Sequence, residues 1–136
     1  MLATRNRLRT STDFSTTVRS GVRNGRRNVV LYAAALAADE PSRIGFIVSK
    51  SVGNAVVRNL VKRRLREVGA LSLQKYGSGF AIVVRALPAS AGASFDHLRS
   101  DYDAALESNM KRLGRSLPKA ASSVSYETTQ EGTPRA

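Results

Sequence analysis

Few residues in this chain are equipped to break or make bonds. It has one histidine, His97, and no cysteine. Nucleophilic hydrolysis needs a base oriented beside a nucleophile. His97 lies in Ser94-Phe95-Asp96-His97-Leu98, a helix start with no nucleophile motif beside it, and reads as an exposed helix histidine. Two-metal phosphoryl chemistry needs converging carboxylates. Asp39 and Glu40 fall in a turn, Asp96, Asp101 and Asp103 fall along one helix, and no pair stands out. A lone histidine without cysteine also excludes the common nitrogen and sulfur zinc sites. Gly77-Ser78-Gly79 has neither dinucleotide-binding spacing nor a phosphate-loop lysine. The sequence therefore offers no catalytic residue and no metal ligand set, and it reads as a binder.

What it offers instead is positive charge. The 136 residues carry a formal net charge of +12, and arginine outnumbers lysine 17 to 5. The planar guanidinium pairs bidentately with phosphate and stacks on bases, so an arginine-rich surface points to nucleic acid. The charge is uneven: residues 1–66 hold 14 basic and 3 acidic side chains, residues 67–136 hold 8 and 7.

The densest cations share a helix. Arg58, Lys62 and Arg66 recur at i, i+4 and i+8, flanked by Asn59 and Arg63, and Glu67 is the helix's single acid. Like charges four apart destabilise an isolated helix by a few tenths of a kcal/mol per pair. Bound phosphates would remove that repulsion. Lys50 and the amides around Gly53 and Asn54 add a donor-rich corner at the helix start. A separate feature is aromatic. Phe14, Tyr32 and Phe46 are placed to line a shallow cleft between the first helix and the sheet, suited to unstacked single-stranded bases. Core packing explains Phe14 and Tyr32 as well as a cleft does, and explains Phe46 better.

These residues need elements to hold them. A first helix is expected over 12–20, capped by Ser11 or Thr12, with Gly21 as its left-handed terminator. Phe14 and Val18, four apart, give it a docking face. Residues 22–27 read as a loop or short edge strand, and 28–37 and 43–50 as strands. Asn54 caps the strongest helix, to about residue 73. Its apolar stripe is Val57, Leu60, Val61, Leu65 and Val68, with Arg64 at the edge, its stem along the core and its head in water. A short apolar strand covers 80–85. Ser94 caps a last helix to about 113, with Phe95, Leu98, Tyr102, Leu106 and Leu113 near one stripe. The order gives a small α/β layer fold, one sheet with helices packed on it. Any parallel pairing across the middle helix would ordinarily be right-handed.

A folded part of roughly 110 residues can bury a core without staples. Residues 1–113 are read as one RNA-binding domain and 114–136, rich in Ser, Thr, Pro, Gly and Ala, as a disordered tail. No apolar run approaches the ~18 residues needed to span a membrane. The basic start, residues 1–14, lacks the apolar segment of a secretory signal. Its Arg, Ser and Thr content resembles a transit peptide, but its helix punctuation argues for a folded segment, and the expected location is cytoplasmic.

The stretch from Arg43 to Arg66, RIGFIVSKSVGNAVVRNLVKRRLR, resembles the signature of the bacterial ribonuclease P protein subunit. Arg5-Asn6-Arg7-Leu8-Arg9, followed by Asp13-Phe14 and Gly21, is similar to that family's opening, and Tyr32 falls at its second-strand aromatic. The resemblance spans about residues 5 to 113. It implies an α+β fold, a small α/β sandwich of α-β-β-β-α-β-α order with a four-stranded sheet, ribosomal protein S5 domain 2-like, with an unusual left-handed β-α-β crossover. It implies the accessory subunit of a ribonucleoprotein endonuclease that removes the 5′ leader of precursor tRNA. The RNA subunit is then the catalyst, with magnesium ions held mainly by RNA and no organic cofactor. The implied partners are that catalytic RNA and precursor tRNA, with no membrane and no required protein partner. By position, Arg58, Asn59, Lys62, Arg63 and Arg66 are expected to contact the catalytic RNA. Phe14, Val18, Tyr32, Lys50 and Arg58 are expected to form the leader cleft. The sequence departs from the family where Leu60 replaces the second arginine of the arginine-asparagine-arginine signature. It departs again where Val18 replaces a common aromatic and Ser51 a frequent lysine. A ribosomal or other structural RNA-binding protein would use the same basic helix, and a DNA-binding module would place it in a major groove.

Overall fold

The computed structural model describes residues 4–114. Three helices and four strands follow in the order α1 (Ser11–Ser20), β1 (Val22–Gly25), β2 (Val29–Ala35), β3 (Arg43–Ile47), α2 (Ala55–Tyr76), β4 (Phe80–Ala86), α3 (Phe95–Arg112). Short 3-10 turns lie at Thr4–Asn6, Lys50–Val52 and Pro88–Gly92. The expected order is present. Apart from Gly114, the tail assigned to 114–136 lies outside the described residues.

The sheet order is β1-β2-β4-β3. β1 pairs antiparallel with β2 and β2 with β4, while β3 and β4 are parallel, joined through α2. β4 is inner, and six of its seven residues are buried, which is why it reads as a near-continuous apolar run. Strand alternation sends Ile44, Leu31, Ala33, Ile82 and Val84 to one face. There they meet Val61, Leu65 and Val68 of α2 and Leu98, Tyr102, Leu106 and Met110 of α3. Gly69 lets α2 lie close on β3: a Cβ there would stand 3.1 Å from Phe46 Cζ and 3.3 Å from Ile44 Cδ1.

Buried polar groups fix the packing. The Tyr102 phenol lies 2.9 Å from Ser72 Oγ between α3 and α2. The buried Asn28 donates its backbone N–H and its Nδ2 to Asp101 Oδ2, at 3.0 and 2.8 Å, tying the start of β2 to α3.

Helix caps follow local chemistry. Asn54 Oδ1 accepts from Val57 N at 3.0 Å, and Ser94 Oγ from His97 N at 3.1 Å, as expected. At α1 the cap is Thr10, one to two residues earlier than anticipated, its Oγ1 accepting from Asp13 N at 3.1 Å. Gly21 is not left-handed either, with φ −86° and ψ 170°. Its glycine answers a close approach instead: a Cβ would sit 2.5 Å from the Thr17 carbonyl oxygen and 2.7 Å from that of Ala33. α2 runs to Tyr76, three residues past its expected end. The Arg64 head is not free in water; its Nη1 donates to the Ala93 carbonyl at 3.0 Å.

Candidate RNA interface

The sheet's second face is partly covered by α1. Side chains that alternate with the core set point this way, and the register aligns Arg23, Tyr32, Val83 and Gly45 in one row across all four strands. Phe14 lies on Gly45, where any side chain would collide with its ring. α1 starts over β3 at Phe14 and ends against β2 at Gly21, so it crosses the sheet. Thr17 is its buried residue, with Phe14 and Val18 half-buried beside it. Tyr32 is half-buried in the same row. Phe46 alternates with Gly45, faces Gly69 of α2, and packs on the core. It lies on the core face rather than beneath α1, as the core reading has it, although its half-buried ring also borders the edge of β3.

The next row, Gly25–Val30–Arg85–Ile47, lies toward the C-terminal end of β3. Arg85 is the one exposed residue of β4, on an inner strand, beside Val83 and diagonal to Tyr32. Sequence reading passed over it as the strand's last residue. Its signal was a charge ending an otherwise apolar inner strand, whose phase put it opposite Val84. Lys50 is exposed in the 3-10 turn after β3.

On α2, Asn59, Arg63 and Arg66 are exposed, and Arg58 and Lys62 half-buried. Two of these cations reach the edge of β3. Lys62 and Arg66 line a cavity of about 160 Å³ with Arg7, Leu8, Phe14, Ile44, Gly45 and Phe46. The two features read as separate, the basic helix and the aromatic face, therefore meet at this edge. Val18, Tyr32, Lys50 and Arg58 do not line that cavity, and are spread over the open face and the start of α2. The Arg58 Nε is buried without a hydrogen-bond partner. Among the described residues no ion pair joins Arg58, Lys62, Arg63, Arg66 or Arg85 to a carboxylate, so their charge is available to an external anion.

Sequence reading missed the anchoring of the N-terminal arm. Leu8 is buried and its N–H donates to the Ile44 carbonyl at 3.1 Å, along the edge of β3. Asn6 Nδ2 donates to the Ser42 carbonyl at 2.7 Å. His97 is exposed, as expected. Among the described residues no group of three or more His, Asp or Glu is arranged to hold a metal ion. Nor is any helix of the described part long and apolar enough to cross a membrane.

A four-stranded α+β layer with cations gathered along one sheet edge beside an aromatic-bearing face has the make-up of a polyanion-binding module. Known proteins narrow that class. Residues 2–114 match the family model described as Ribonuclease P. The chain is 85% identical over 136 residues, all of both chains, to the ribonuclease P protein component of Arthrobacter sp. (strain FB24). It is 55% identical to that of Kocuria rhizophila over 112 residues, 82% of this chain and 98% of the other. Its fold is similar to the RNase P protein of Staphylococcus aureus, with TM-score 0.66 and 25% identity over 81% of this chain and 96% of the other. The Thermotoga maritima RNase P protein gives TM-score 0.63 and 27% identity over 72% and 92%. The chain belongs to the ribonuclease P protein family. It is the accessory protein subunit of an RNA-based endoribonuclease of tRNA 5′ processing, and its partner is the RNA subunit.

Proposed function

We propose that the β3 edge divides two RNA-binding jobs. The face of α2 carrying Arg58, Asn59, Lys62, Arg63 and Arg66 docks on the folded catalytic RNA. The α1-covered sheet face, with Phe14, Val18, Tyr32, Lys50, Arg58 and Arg85, holds the single-stranded 5′ leader of precursor tRNA. The observation that carries this reading is the cavity shared by Lys62, Arg66 and Phe14, where phosphate-binding cations and a base-stacking ring adjoin.

Each residue set does one thing. The α2 cations neutralise close-packed phosphates and release counterions. Tyr32 and Phe14 offer ring faces to unstacked bases, a sequence-tolerant contact. Val18 packs without stacking. Lys50 and Arg85 flank the aromatic row and take leader phosphates. The half-buried Arg58, whose Nε lacks a partner, gains one when RNA arrives. No side chain of the protein breaks a bond. The magnesium ions that serve hydrolysis are held mainly by RNA, and the complex works in the cytoplasm. Holding both RNAs on one cationic body lowers their mutual repulsion and with it the magnesium requirement.

Reconstitution tests this. The protein is combined with a bacterial catalytic RNA and precursor tRNA at low magnesium. Cleavage that depends on the protein, with tighter binding of leader-bearing than of mature tRNA, is expected. Binding to ribosomal RNA with no help to cleavage would favour a structural RNA-binding role instead.

A further inference from the structure

The N-terminal arm alternates along the edge of β3. Asn6 and Leu8 turn inward and anchor it, Asn6 on the Ser42 carbonyl and Leu8 on the Ile44 carbonyl and against Gly45. Arg5, Arg7 and Arg9, between them, are exposed. Arg43, the first residue of β3, points to the α1 side, because it precedes Gly45 by two in the strand. The result is a concave site of about 280 Å³ lined by Arg5, Arg7, Arg9 and Arg43, with Thr4, Thr10, Asp13 and Pro41 completing the wall. Among the described residues no ion pair joins Arg5, Arg9 or Arg43 to a carboxylate, although Asp13 borders the same space.

Arginines gathered round one hollow suit phosphate, since guanidinium forks match phosphate oxygens. Its position ties it to the aromatic row. Arg43 lies about 7 Å along β3 from Gly45, the residue under Phe14. Asp13 immediately precedes Phe14 in α1. The hollow thus continues the Tyr32–Gly45 row past the start of α1, away from Lys50. Lys62 and Arg66 lie on the other side of the β3 edge, reached through Arg7. We propose that Arg5, Arg9 and Arg43 bind backbone phosphate of the distal 5′ leader, beyond the nucleotides held on the aromatic row. This rests on the leader-binding reading of that row.

The test uses protein reconstituted with catalytic RNA and precursors with leaders of about 4 and about 12 nucleotides, a range typical of single-strand sites. For unaltered protein, the longer leader is expected to bind more tightly. Arg9→Ala/Arg43→Ala is expected to lose about tenfold affinity on the long leader and to leave the short one within about twofold. Normal binding of the short leader shows that the variant is folded. Arg9→Lys/Arg43→Lys, which keeps the charge, is expected to retain most of the gain. Equal losses on both leaders would overturn the proposal and assign the hollow to the catalytic RNA. No loss on either would also overturn it. Tyr32→Ala is measured alongside: if it no longer separates leader-bearing from mature tRNA while the arginine variant behaves normally, the distal site fails but the aromatic row stands. If Tyr32→Ala weakens both equally, the leader reading itself fails.

Discussion

Phe14 occupies the space that residue 45 leaves empty: a Cβ on Gly45 would stand 2.5 Å from Phe14 Cε2. The contact joins α1 to the edge strand β3, and Leu8 closes it from the N-terminal arm at 3.0 Å. A glycine here is therefore a docking notch for the aromatic ring.

Filling the notch should displace Phe14. Gly45→Ala is expected to cost about 1–3 kcal/mol of stability, the usual range for overpacking. It should also reduce the preference for leader-bearing RNA. Urea denaturation and paired binding assays measure the two effects. Unchanged values for both would mean α1 shifts freely over the sheet.

Tyr32→Ala is expected to weaken precursor binding by about 1–3 kcal/mol, a stacking contribution, with mature tRNA unaffected. Tyr32→Phe keeps the ring face and should retain most of the affinity. Equal losses for both RNAs would mark Tyr32 as purely structural.

Arg85 stands exposed on an inner strand beside the aromatic row, so its removal costs little packing. Arg85→Ala should leave folding within about 0.5 kcal/mol. The salt dependence of precursor binding should become shallower by about one phosphate contact, a log–log slope change of roughly 0.7 for a single strand. An unaltered slope would remove Arg85 from the interface.

The fully buried Tyr102 has its phenol pushed up from the usual tyrosine range, chiefly by burial, with the nearby Asp103 adding to it and the Ser72 hydrogen bond opposing. In the unfolded chain the phenol ionises near its ordinary value of 10.0, while in the folded protein it stays neutral. Stability from this group is thus complete below that pH and lost as pH rises above it. Denaturation midpoints should fall above about pH 10, less steeply in Tyr102→Phe. Identical alkaline profiles would contradict this.

Much of the fold is legible because local chemistry and packing agree. Asn54 and Ser94 cap their helices by the side-chain bonds their types favour, and the apolar run 80–84 marks an inner strand. The alternation of Ile44 and Phe46 against Gly45 already places Phe46 opposite the notch. Which face α1 would cover was not encoded in that period, so Phe46 and Phe14 could be grouped on one side. The arm was hidden for a different reason. Arg5 to Arg9 has too few apolar residues to show a pattern, and it is positioned by two long-range hydrogen bonds, from the Asn6 side chain to the Ser42 carbonyl and from the Leu8 N–H to the Ile44 carbonyl. The same contacts bring Arg7 between α2 and α1, joining a basic helix and an aromatic face that sequence spacing kept apart. The half-buried Arg64 is held by the Ala93 carbonyl just before α3, a partner 29 residues away that helix phase does not reveal.

The central claim is that the β3-edge face of α2 lies on folded catalytic RNA. The most direct measurement is the affinity of that RNA for the protein and for Lys62→Ala/Arg66→Ala across a salt series. If about five cations contact phosphate, the log–log slope should be roughly −3.5 to −4.5. The double variant should bind more weakly, with a slope shallower by roughly 1.4 to 1.8. A variant with the same affinity and the same slope as the unaltered protein would contradict the account.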